Sequence, residues 1–128
     1  MMYLTGSITI ATTTADAFYL PVPCRGIVKD VWLSHNEETD ADEIWTVARG
    51  ATTVNTITTP ADATAEGTSV QGVPDTTSKD LVFDPDSTTV ANRVIRINTL
   101  NTVDTGGSLG YMIAYDPSCA IAQAASEA

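Results

Sequence analysis

The chain has 128 residues, 43% of them hydrophobic and 6% aromatic, which fits one domain able to bury roughly two-thirds of its extended surface. Sixteen acidic side chains against six lysines and arginines leave a formal charge of −10, opposing the counterion release on which nucleic-acid binding depends, so DNA and RNA are not expected partners. No apolar run approaches the ~20 residues of a membrane-spanning helix, and the first twenty residues lack a basic n-region and a continuous apolar stretch, so neither a membrane partner nor signal-directed export is expected.

Taken in chain order, apolar residues recur with period two. Ile8 and Ile10 mark a first strand, or an arm, within residues 1–13. Phe18, Leu20 and Val22 share a face of a second strand in which Pro21 and Pro23 each remove a ladder donor, so Phe18 to Val22 is expected at a sheet edge. Gly26 then permits a bend or a positive φ before Ile27 to Leu33, where Ile27, Val31 and Leu33 line one face and Trp32 has the opposite parity. Further strands are expected over Ile44 to Arg49, Thr53 to Thr58, Leu81 to Phe83 and Arg93 to Leu100. A closing strand carries Leu109, Tyr111, Ile113 and Tyr115 on one face.

Clusters rich in Gly, Pro, Asp and Asn separate about eight strands, and threonine, about one residue in six, suits half-exposed pleats. The stretch Thr59 to Lys79 reads as a long surface loop with room for one short strand. The fold class expected is all-β: two antiparallel sheets packed face to face in a jelly-roll-like sandwich over 14–117, preceded by the N-terminal arm or strand and followed by a tail over 118–128.

Candidate chemistry is sparse. Glu37, Glu38, Asp40, Asp42 and Glu43 put five carboxylates into seven residues, but their spacing lacks the glycine and the bidentate glutamate of a calcium loop and reads as a solvated hairpin. His35, the only histidine, is expected to be partly exposed where strand gives way to that loop, and one histidine cannot build a three-histidine zinc site. Asp104 to Gly110 contains one Asp-Thr-Gly, whereas aspartic-protease chemistry needs two facing carboxylates, so Gly106 and Gly107 read as a turn. No G-x-S-x-G elbow and no glycine-rich phosphate loop is present, and neither catalysis, a metal nor a cofactor is expected. Cys24 and Cys119 could pair, although in a chain without an export signal they are expected to stay reduced. Trp32, Trp45, Tyr111 and Tyr115 could form a sugar-stacking platform or serve as core and interface packing, so a carbohydrate-binding sandwich is the alternative function.

The segment YLPVPCRGIVKDVWLS, followed by IWTVARGA and, after a loop-rich middle, by VANRVIRINTLNTVDTGGSLGYMIAYDP, resembles the small jelly-roll proteins that decorate or cement the capsids of tailed bacteriophages. The likeness runs from Thr14 to Pro117 and departs from the family pattern at VANRVIRI, where a Gly-Asp pair would precede the branched strand. It implies a structural virion protein, made in the host bacterial cytoplasm and carried on the outer capsid surface. There a homotrimer would bind the major capsid protein, bridge neighbouring subunits and stabilise the shell.

Two sets of residues are expected to serve that role. Tyr3, Leu4, Ile8 and Ile10 give the N-terminal arm an apolar surface that could add a strand to the capsid or a sister subunit. Arg25, Lys29, Arg93 and Arg96 are scarce cations that could orient an acidic body by pairing with capsid carboxylates.

Overall fold

The computed structural model describes residues 1–10, 17–35, 42–59, 69–99 and 107–117. It contains β1 (Met2–Ile10), β2 (Ala17–Pro21), β3 (Gly26–His35), β4 (Glu43–Arg49), β5 (Thr52–Thr59), β6 (Val70–Gln71), β7 (Val73–Pro74), β8 (Val82–Phe83), β9 (Val94–Thr99) and β10 (Gly107–Asp116). A 3₁₀ turn over Val90–Arg93 leads into β9.

All pairings among the described residues are antiparallel, and one set of them is nested. β1 pairs with β10, β2 with β9, β3 with the short β6 and β8, and β4 with β5, as in one long hairpin folded over on itself. Successive pairs fall into alternate sheets, joined within each by β10–β3 and β9–β4. One sheet therefore runs β1-β10-β3-β6, with β8 also on β3, and the other runs β2-β9-β4-β5-β7. The chain is an all-β sandwich of two antiparallel sheets.

The core lies between the two inner faces. Ile8, Val31, Leu33, Phe83, Leu109, Ile113 and Tyr115 from the first sheet meet Trp45, Val47, Ile57, Ile95 and Ile97 from the second, with Val22 just beyond β2. Each of these fully buried side chains stabilises the fold by about 1.5–3 kcal/mol relative to an exposed one, so the alternation seen in the sequence is the main determinant of which face turns inward.

The expected stripe of Ile27, Val31 and Leu33 is broken. Val28 stands opposite Tyr115 and Asp30 opposite Ala114, leaving Lys29 as the extra residue of a β-bulge. One inserted residue reverses the facing of all that precede it, so Val28 enters the core while Ile27 pairs with Val82 in a separate two-residue cluster. Gly26 also serves a different purpose from the one expected. It begins β3, and a Cβ there would collide with the Asp116 carbonyl and lie 2.7 Å from the Tyr115 ring. The described glycine with a positive φ is Gly50, at 62°, in the turn joining β4 to β5.

Among the described residues between β5 and β8 there are two short strands, where the sequence left room for one. The predicted edge strand is an edge: β2 closes one side of the second sheet and ends at Pro21, while Pro23 lies beyond it. β7, on the opposite edge of that sheet, is two residues long and ends at Pro74. On the first sheet one edge is made of the two-residue β6 and β8, and the other is the nine-residue β1.

Candidate interaction surface

The outer face of the first sheet is set by the residues of opposite parity to the core. Thr5 faces Met112, which faces Trp32, which faces Gln71; the next row runs Ser7, Gly110 and Ser34. Tyr3 is 59% exposed and Met112 36%, with Trp32 half-buried beside it, so an apolar ledge crosses three strands. The row of small residues next to that ledge leaves a depression of about 240 Å³, floored by Gly110 and bordered by Thr5, Trp32, Ser34, Ser69 and Met112. None of the residues lining it is an Asp, Glu, His, Lys or Arg; the one phenol among them, Tyr111, packs against the core and leans over Gly6.

The residues expected to form an adhesive arm are split by the pleat. Residues Met2–Ile10 form a strand of this chain's own sheet, with Ile8 buried and Leu4 packed against the core, so these two do not present an outer surface. Tyr3 does. Ile10 stands opposite Gly107 at the end of β1.

Each of the four cations has a partner within the chain, Arg25 and Arg93 both on the turn over 84–87. Nε and Nη2 of Arg25 both donate to Oδ2 of Asp84 at 2.8 Å. Lys29, at the bulge, lies 3.6 Å from Asp80. Arg93 Nε donates to the Ser87 carbonyl at 2.8 Å, and Arg96 Nη1 to the Gly50 carbonyl at 3.4 Å. Asp84 also accepts the backbone N–H of Asp86; that bond, with Arg25 second, holds its carboxyl below the usual range against the opposing effect of burial.

His35 and Glu43 correct the sequence reading most sharply. His35 is 5% exposed and Glu43 1%, and Nδ1 of the first lies 3.7 Å from Oε1 of the second. The histidine expected to be partly exposed is therefore buried, and one carboxylate expected in the solvated cluster faces it across the end of the sandwich. Asp42 is exposed, whereas Glu37, Glu38 and Asp40 lie outside the described residues. Among the described residues no group of three or more His, Cys, Asp or Glu is placed to hold a metal ion.

The four-aromatic platform dissolves for the same reason of parity. Trp45 and Tyr115 are fully buried, the indole N–H of Trp45 donating to Thr59 Oγ1 at 3.2 Å. The Tyr115 hydroxyl donates to the Cys24 carbonyl at 2.6 Å, and burial is the main cause that pushes its pKa well above the ordinary 10.0. Cys24 is half-buried with a free thiol; Cys119 and Gly106 lie outside the described residues, while Gly107, expected in the turn, begins β10 opposite Ile10. Trp32 alone remains a surface tryptophan, as its parity indicated. Set against known protein families, curated proteins and solved structures, the chain matches none.

Proposed function

We propose that this chain is a structural virion protein that binds the outer surface of a bacteriophage capsid, bridging neighbouring major capsid subunits as a homotrimer and stabilising the shell. The nested pairing of strands, alternating between the sheets, supports a jelly roll in particular, the architecture that the sequence resemblance implies. The observation that carries an adhesive role is the contrast among the four sheet edges. Three are two residues long or end in proline. The fourth, β1, offers nine residues, MYLTGSITI, with no charge and no proline in a chain of net charge −10. Among the described residues no further strand covers it, and an uncharged edge of that length invites a strand from another molecule. Tyr3 at its outer face extends the same surface.

The test is binding of the purified protein to undecorated shells of the virus that encodes it, compared with a Tyr3→Lys, Ser7→Lys double variant. Both side chains are exposed, so the fold tolerates lysine, whereas charge on the edge opposes strand addition. Saturable binding that the variant weakens supports the proposal. Equal binding by both proteins removes β1 from the interface, and no binding by either removes the capsid role.

A further inference from the structure

We propose that the depression beside Trp32 on the outer face of the first sheet binds one ring of a neutral saccharide. The reading goes beyond capsid attachment and does not depend on it. It starts from two adjacent rows of the sheet. Trp32 and Met112, cross-strand partners, make an apolar wall, and Gly110 in the next row leaves the floor without a side chain. Three residues that carry hydroxyls border the depression from different parts of the chain: Thr5 and Ser69, both exposed, and Ser34, half-buried.

Size and polarity select the ligand. A volume of about 240 Å³ corresponds to about eight waters at their liquid volume, below the range of ~300 Å³ and more that suits drug-sized molecules, so a single ring-sized group is the largest fit. The exposed lining is mainly apolar with a smaller polar share, so a ligand with one apolar face and a polar edge matches it better than a fully polar one. A pyranose ring has what this surface lacks: an apolar face for the indole and a rim of hydroxyls for Thr5, Ser34 and Ser69. Charge narrows the class further. No lysine or arginine borders the depression to receive an anionic sugar, and the net charge of −10 repels one.

The two tryptophans make the test direct. Trp45 is sealed in the core with its N–H bonded to Thr59, so a change in emission on adding ligand reports Trp32. The purified full chain is titrated with the methyl glycosides of glucose, galactose and mannose, with dextran, with anionic alginate and with n-hexanol. Trp32→Ala removes the wall. Gly110→Val fills the floor and suits a strand, because the nearest atoms to an added Cβ, both from Ser34, lie at 3.8 and 4.0 Å. Binding of Trp32→Ala is read by calorimetry, and the Trp45 emission of each variant confirms folding.

The expected result is a saturable response to at least one neutral glycoside or to dextran, weakened about tenfold or more by Gly110→Val and by Trp32→Ala. No response to any neutral sugar overturns the proposal, as does a response that Gly110→Val leaves unchanged. Equal affinity for alginate contradicts neutrality. A response to hexanol alone marks the depression as a seat for an apolar side chain and overturns the saccharide assignment. Shell binding is not measured in any of these titrations, so their failure leaves the capsid proposal standing or falling on its own experiment.

Discussion

Glu43 begins β4 and shares its parity with Trp45 and Val47, which is why it points inward beside His35 while its neighbour Asp42 points to water. The parity was visible in the sequence, but a run of acidic residues masks it, since charge patterning reports a cluster and alternation reports a face. Removing one member of a buried polar pair leaves the other in a medium that solvates it poorly. Glu43→Ala is therefore expected to cost about 1–3 kcal/mol in urea unfolding, and Asp42→Ala about 0.5 kcal/mol or less. Tyr115 presents a parallel case. Its hydroxyl ties β10 to the carbonyls of Cys24 and Phe83, at 2.6 and 3.4 Å, and Tyr115→Phe should cost about 1–2 kcal/mol by leaving these acceptors short of a donor. The buried phenol stays neutral while the unfolded chain ionises near 10.0, so the stability it supplies is complete below that pH and declines above it.

At the scale of elements, alternation located the long strands because each buries one face. Leu109, Ile113 and Tyr115 occupy the core as their spacing indicated, and so do Ile95 and Ile97. The β-bulge at Lys29 was not legible, since an inserted residue leaves no mark in composition and the odd-numbered stripe reads correctly only beyond it. The two-residue strands β6 and β7 escaped for a related reason: period two needs about four residues to show. The outer ledge was half legible, through the parity of Trp32, while its neighbours Met112 and Gly110 depend on strand order. The bulge makes a distinction that stability measurements can read. Ile27 packs with Val82 outside the main core, whereas Ile113 lies fully within it. Ile27→Ala should cost about 2 kcal/mol, the low end for such a truncation, and Ile113→Ala about 4 kcal/mol. Equal losses would mean that both residues share one core.

For the whole molecule, charge and shape act together. Asp75, Asp80 and Asp84 all titrate below the ordinary 3.8 in the folded chain: Asp75 chiefly through the backbone N–H of Thr77, Asp80 through the Lys79 side chain, and Asp84 through the N–H of Asp86. A carboxyl held low in the folded state stabilises it fully above the unfolded value and less as pH falls through the folded one. Unfolding free energy should therefore drop as pH falls below about 4, and Asp84→Asn should flatten part of that decline. At neutral pH the charge of −10 keeps many copies apart in solution, and β1, which carries none of it, is the strip on which another chain meets least repulsion.

The most direct test of the proposed adhesive, shell-stabilising role is cryo-electron microscopy of empty phage capsids, assembled from the genome in which the chain is encoded, after incubation with the purified chain, alongside its mass in solution. The account predicts a trimer in solution and ordered extra density outside the shell, bridging neighbouring capsid subunits at three-fold positions. A monomer that leaves the capsid surface bare at saturating concentration would contradict it.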